Sequence, residues 1–369
     1  MTSFVESCVE TAIGRAVSVE RRSRHRPRAR KLLNVLKDRK NILITTHQQP
    51  DPDALASSLA LRVLLRAKLK DAKVSLSVKG TIGGGYNRAF AQQLSGLELV
   101  PWDDAALDQY DAIIVLDVQP LMRSSPLPHN VQATAVIDHH RSGSHLPRCP
   151  FCDVRPDVGA TSSIIFSYFM ELEVDITPEL AATLLFAIET DLAGAAGQPG
   201  DLDNMALSSL TLMADTHMLY KMRYVDLPQS SYIAHAHGLA NAVYFDNAMI
   251  SHLDRMESPE APAVIADFLL RFQPVQWVLV TAVNGSSLAM SLRTSASKGS
   301  AADVMRKLLR KIGDGGGHKT KAGGNITMES GSPAEVDKLR NILKRRLLRS
   351  LGIKMSRGQK LVPEMPRGK

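Results

Sequence analysis

Hydrophobic positions along the chain change period several times, and each change marks an element. Leu32, Leu33 and Leu36 share one face of a short helix. The abrupt run Ile42-Leu43-Ile44-Thr45-Thr46 reads as a buried strand, and Pro50 and Pro52 punctuate the turn after it. Leu55, Leu59 and Val63 then stack on one face of a helix from about Ala54 to Lys70. Strands recur at Val74–Val78, Ala112–Leu116 and Ala133–Ile137, and helices fit Ala160–Glu171 and Pro178–Glu189. This alternation predicts a parallel sheet with flanking helices. After about Asp226 the texture shifts. Strands at Ala248–Ile250, Trp277–Val283 and Leu288–Leu292, with helices at Pro259–Phe272, Ala301–Ile312 and Pro333–Leu351, predict a second α/β unit. A polar, frayed tail is expected from Ile353 onward.

A length of 369 residues fits two domains. With 44% hydrophobic and 22% charged residues, wholesale disorder is excluded. No apolar run approaches the ~18 residues of a membrane span. The N-terminus has no apolar signal core, and Glu6, Glu10 and Glu20 argue against a transit peptide. Three cysteines make no disulfide framework, so the expected location is a reducing cytoplasm. The net charge of +8 is uneven: Arg21–Lys40 carries +9 and Lys338–Lys369 carries +10, which leaves −11 on the rest. Basic ends on an acidic body suit phosphate-rich partners, with solvated tails that aid solubility as the plain alternative.

Candidate chemistry follows the apolar runs. The first strand leads into His47, Asp51 and Asp53, and Ala112–Leu116 leads into Asp117. Ala135-Val136-Ile137 leads into Asp138-His139-His140, and the helix near Ala181–Glu189 leads to Asp191. Crowded carboxylates repel one another, and a divalent cation removes that repulsion. Taken alone, the first motif could be a polar turn with Asp53 as a helix N-cap. Nitrogen and oxygen donors without thiolates suit Mn²⁺, Mg²⁺, Fe²⁺ or Zn²⁺. These residues are enough for two ions ~3.5–4 Å apart, a clamp for displacement at phosphorus.

These motifs resemble the DHH family of phosphoesterases, in particular the two-domain branch with nanoRNase/pAp phosphatases and RecJ-like exonucleases. Asp138-His139-His140 is similar to the signature triplet, and His47 to Asp53 with Ser57-Ser58 to the opening motif. Farther on, Ser291-Leu292-Arg293, Gly315-Gly316-Gly317-His318 and Ala322-Gly323-Gly324 resemble a DHH-associated domain with a glycine-rich loop. After Asp191 the chain reads Leu192-Ala193-Gly194, which departs from the family's usual Thr-Gly.

The resemblance implies an α/β protein with a parallel-sheet DHH domain and a smaller α/β domain, the active site lying in the cleft between them. The implied divisions are a basic extension at 1–28, the catalytic domain at 29–225 and a linker at 226–240. The substrate-binding domain would span 241–352 and a basic tail 353–369. Two divalent ions are implied, Mn²⁺ first and Mg²⁺ as the alternative. His47, Asp51 and Asp117 would hold one; Asp53, Asp117, His139 and Asp191 the other. Asp138 would orient a histidine, and His140 would face the scissile phosphate. Arg293, Gly315, Gly316, Gly317 and His318 would grip the substrate. The implied activity is hydrolysis of short oligonucleotides to mononucleotides, and of pAp, by a water activated between two metals. A cyclic- or linear-dinucleotide phosphodiesterase, a pyrophosphatase or exopolyphosphatase, and a non-catalytic nucleic-acid-binding protein are the alternatives. The expected partners are short RNA or DNA or small nucleotides, with no membrane; a homodimer is compatible with the sequence. Cys149 and Cys152 are expected to be ordinary thiols, His235 and His237 solvated residues of the linker, and Trp277 a core residue.

Overall fold

A computed structural model describes residues 27–83, 85–122, 124–140, 148–193, 199–256, 260–317, 319–354 and 358–363. They form two compact units, one ending at Val225 and the other beginning at Asp226. Among these residues no helix is long and apolar enough to cross a membrane.

In the first unit the described elements are α1 (Arg28–Leu36), β1 (Asn41–Thr46), α2 (Pro52–Lys68), β2 (Lys73–Leu76), α3 (Gly85–Gln93), β3 (Ala112–Leu116), β4 (Ala135–Asp138), β5 (Phe151–Val154), α4 (Thr161–Leu172), α5 (Pro178–Leu192), α6 (Asp201–Met213) and α7 (Thr216–Arg223). The strands pair in parallel in the order β2-β1-β3-β4-β5. Their unbroken apolar runs reflect burial on both faces. Ile42, Ile44, Ile114, Leu116 and Ile137 pack into the large helical core. Leu43, Ile113, Val115 and Val136 point the other way, into a smaller cluster with Leu107 and Leu127.

The strand order fixes where chemistry can sit. From β1 the chain moves to β2 on one side and later returns to β3 on the other. Loops leaving β1 and β3 therefore diverge and leave a crevice at the carboxyl ends of these strands. Thr46 pairs with Leu116 there, so His47 and Asp117 emerge side by side.

Local signals explain the two helices that flank this crevice. Pro52 occupies the first turn of α2, and the Asp51 side chain accepts the Ala54 amide. Asp51, rather than Asp53, is thus the N-cap of α2. Thr177 and Pro178 start α5 in the same way.

The second unit contains α8 (Gln229–Ala240), β6 (Val243–Phe245), β7 (Ala248–Arg255), α9 (Ala261–Leu269), β8 (Trp277–Asn284), β9 (Ser287–Thr294), α10 (Ala301–Leu309), β10 (Asp314–Gly317), β11 (Lys321–Thr327), α11 (Pro333–Ser350) and β12 (Gln359–Lys360). Its mixed sheet runs β10-β11-β9-β8-β7-β6-β12, with β7 and β8 parallel and the other pairs antiparallel. Trp277 is a core residue, 4% exposed.

Three expectations need correction here. Residues 226–240 are not a linker, because most of them form α8. Ala234 is buried and the Gly238 carbonyl accepts the Ser251 hydroxyl. His235 stands edge-on to Phe268, and His237 pairs with Asp254 at 3.0 Å. The tail is not wholly frayed, since Gln359 and Lys360 pair with Tyr244 and Val243. Gly315, Gly316 and Gly317 lie in strand β10 rather than in a loop.

Candidate metal centre

Asp117 occupies the crevice in a left-handed conformation, φ +57°, which is uncommon for a residue with a side chain. Its amide donates to the Ile137 carbonyl, and the tight turn leaves its carboxylate 3% exposed with each oxygen facing a different group. Oδ2 lies 3.6 Å from His47 Nε2. Oδ1 accepts the Thr161 hydroxyl at 2.8 Å and lies 3.4 Å from His139 Nε2 and 3.7 Å from His140 Nδ1. His47 Nε2 is also 4.0 Å from Asp51, one helical turn away in sequence. His139 Nε2 is 3.3 Å from Asp191 at the end of α5. Among the described residues three groups are able to hold a cation: His47, Asp51 and Asp117; Asp53, His139 and Asp191; and Asp117, His139 and His140.

Hydrogen bonds from the opposite edges orient these ligands. Val158 O accepts from His139 Nδ1 at 3.3 Å, which leaves Nε2 as the ligand atom. Asp53, at 1% exposure, accepts the Thr161 and Ser162 amides at the start of α4. It therefore holds the first turn of a different helix from its own. Asp138 is fully buried and accepts the His140 ring N–H at 2.7 Å as well as the His140 amide. Its other oxygen accepts the Gln119 side-chain amide, which also reaches the His140 carbonyl. Gln119 and Thr161 are participants the sequence did not reveal. One follows Asp117 by two residues; the other follows Gly159-Ala160 at a helix start.

The electrostatics show what the cluster lacks. Burial raises the Asp53 carboxyl well above its ordinary pKa, reinforced by Asp117, Asp191 and Asp51. Burial and the Asp117 charge raise Asp51 likewise. Asp117 goes the other way: burial opposes its charge, but the His47 hydrogen bond and the charges of His140, His139 and His47 hold it below the usual range. The histidines respond in turn. His140 is driven up to about 10 against burial by its bond to Asp138 and by Asp117, Asp138 and Asp191. His47 is raised against burial by its bond to Asp117 and the Asp51 charge. Protons on the rings thus stand where cations would relieve the same repulsion, and the donor set fits divalent ions.

This has a measurable consequence. Ligands must shed these protons to bind a cation, so Mn²⁺ binding should release protons at pH 7 and strengthen as pH rises. Calorimetry in two buffers of different ionisation enthalpy checks this; binding with no proton release would contradict it.

In the second unit the glycines divide by face. A Cβ on Gly315 would lie 2.5 Å from Leu309 Cδ1, and one on Gly324 2.4 Å from the same atom, so both are bare to let α10 pack on the sheet. Gly316 and its cross-strand partner Gly323 lie on the opposite face, where a Cβ would meet nothing closer than 3.9 Å. Packing explains the first pair and leaves open space beside the second. Gly315→Ala should therefore cost about 1–3 kcal/mol of stability by overpacking. Gly316→Ala should stay within about 0.5 kcal/mol. Thermal melts of both variants test the division. Arg293 is already engaged, by Asp267 at 2.8 Å and by the Ser291 hydroxyl at 2.6 Å. His318 lies outside the described residues. Cys149 is no reactive thiol: burial, then the neighbouring Cys152, pushes it up to about 12.

Residues 41–188 match the DHH family, N-terminal domain. An uncharacterized protein of Methanocaldococcus jannaschii is 29% identical over 289 residues, which covers 78% of this chain and 58% of its own. The cyclic-di-AMP phosphodiesterase GdpP of Bacillus subtilis is 24% identical over 344 residues, 87% of this chain and 50% of its own. The crystal structure of an exopolyphosphatase-related protein from Bacteroides fragilis shares the fold with a TM-score of 0.70 at 19% identity, covering 88% of this chain and 97% of that one. The chain spans about half the length of the curated relatives it matches.

Proposed function

We propose that this chain, whose residues 41–188 are a DHH family N-terminal domain, hydrolyses phosphodiester bonds in short oligonucleotides and releases mononucleotides. The observation that supports this most is the shared carboxylate. Asp117 belongs to two of the three cation groups and turns a different oxygen to His47 than to His139 and His140. Divalent ions, Mn²⁺ or Mg²⁺, would be held by His47, Asp51 and Asp117 and by Asp53, Asp117, His139 and Asp191. When bound, they would polarise a phosphate oxygen and bring the pKa of a coordinated water towards neutrality.

The other residues act on the substrate. Asp138 holds the His140 ring by Nδ1, so its Nε2 edge is the one turned away from Asp138, and it would face a phosphoryl oxygen. Held this way, His140 keeps a proton to place on that oxygen or on the leaving group. Gln119 keeps Asp138 from turning away. Taken by itself, the second unit offers a phosphate a glycine face at Gly316 and Gly323 that it can approach closely, with Arg293 two residues beyond Ser291 on the adjacent strand β9.

A second reading, hydrolysis of a dinucleotide such as cyclic di-AMP or pApA, draws support from the GdpP relative, whose match spans 87% of this chain. Incubation with Mn²⁺ and a panel of pApA, a 5-mer RNA, pAp, cyclic di-AMP and pyrophosphate separates the readings. Fastest turnover of the 5-mer, with pApA close behind, is expected. Preference for cyclic di-AMP would establish the second reading. Turnover of pyrophosphate alone would overturn both, and RNA binding without any turnover would identify a binding protein.

A further inference from the structure

We propose that Asp203, on a helix that supplies no ligand, is a positioning residue that sets the cation affinity of the Asp53–His139–Asp191 group; this rests on the metal reading above. Asp203 is fully buried in the first turn of α6, and its Oδ2 accepts two amides. One is from Gly200 at 2.9 Å, the local cap of its own helix. The other is from Gly159, 44 residues away in sequence, at 2.7 Å.

A cap needs only the first bond. The second reaches the backbone that supports the centre, because Gly159 follows Val158, whose carbonyl fixes the His139 ring. Gly159 also touches the other ligand's helix. A Cβ there would fall 2.3 Å from Leu192 Cδ2 and 3.1 Å from Asp203 Oδ2. Leu192 adjoins Asp191, so one glycine is wedged between the carboxylate of Asp203 and the end of α5. The spacing of 3.3 Å between His139 and Asp191 is thereby set from behind by Asp203.

The remaining oxygen, Asp203 Oδ1, is buried with no hydrogen-bond partner among the described residues. An orphaned carboxylate oxygen is costly to keep in the interior. Capping α6 alone needs only the Gly200 amide, and gives no reason to bury a second, unpartnered oxygen. A carboxylate oxygen reaching both amides at once is what the double contact adds.

The test titrates Mn²⁺ alone into the cation-free full chain by calorimetry. Loss of a residue that orients metal ligands typically weakens binding 10–100-fold. Asp203→Ala should raise the Kd of one of the two Mn²⁺ by that factor and leave the other within about threefold, since His47, Asp51 and Asp117 do not depend on Gly159. Asp203→Asn keeps an acceptor oxygen for both amides and should return the affected Kd to within about threefold of wild type. If Asp203→Ala does not fold, Asp203→Glu moves the carboxylate by one methylene and should weaken the same site about tenfold. Wild-type constants and stoichiometry in the Ala or Glu variant, whatever its melting temperature, would reduce Asp203 to a helix cap. Failure of the wild-type chain to bind Mn²⁺ would instead overturn the metal reading itself.

Discussion

Asp117→Asn should lower turnover by at least ~10³-fold while the protein stays folded. Removing the charge leaves both cation groups that contain Asp117 without their shared anion. Asparagine is isosteric and can still accept the Thr161 hydroxyl that now reaches Oδ1, and the left-handed conformation at φ +57° is one that asparagine tolerates. The lost activity therefore cannot be ascribed to a lost backbone. The amide would also turn an N–H towards either His47 or His139, where a ligand pair needs an acceptor. Circular dichroism and steady-state kinetics on the same preparation check this. A variant with wild-type melting and a tenth of wild-type turnover would contradict the shared-carboxylate assignment.

His140→Gln should reduce kcat by roughly 10²–10⁴-fold, the usual loss when a positioned proton donor is removed. KM should change much less, because glutamine still fills the space that the imidazole leaves. Asp138 is coupled to this residue through the 2.7 Å bond to the ring, so the two losses should not add. The double variant with Asp138→Asn should be little slower than His140→Gln alone. Multiplicative losses would mean that Asp138 acts on something other than the histidine.

The sheet of the first unit was legible because its strands are buried on both faces and so read as apolar runs. A run such as Ile42-Leu43-Ile44 has few other uses. The candidate site residues were legible for the same reason: His47, Asp117 and Asp138 interrupt those runs at the strand ends, where a polar or charged group is conspicuous. Residues that act across space gave no such signal. Gln119 and Thr161 are ordinary polar residues in loops and helix starts, and only the turn at Asp117 and the start of α4 bring them to the centre. Asp203 looks like any acid in a first helical turn, and its bond to Gly159 spans 44 residues. The helix α8 escaped notice because QSSYIAHAHGLA buries little more than Ala234 and Gly238, too narrow a stripe to set a period. The glycines at 315–317 look like a loop by composition. They form a strand because α10 packs directly on Gly315 and Gly324, leaving no room for side chains.

The most direct test of the account is cation dependence measured with stoichiometry. The full chain, stripped with a chelator and dialysed, should hydrolyse neither pApA nor a 5-mer RNA. Titration with Mn²⁺ should restore mononucleotide release in step with binding, reaching its plateau as the second equivalent per chain is bound. Undiminished hydrolysis in the stripped protein, or full activity at one equivalent, would contradict a centre built on two cations sharing Asp117.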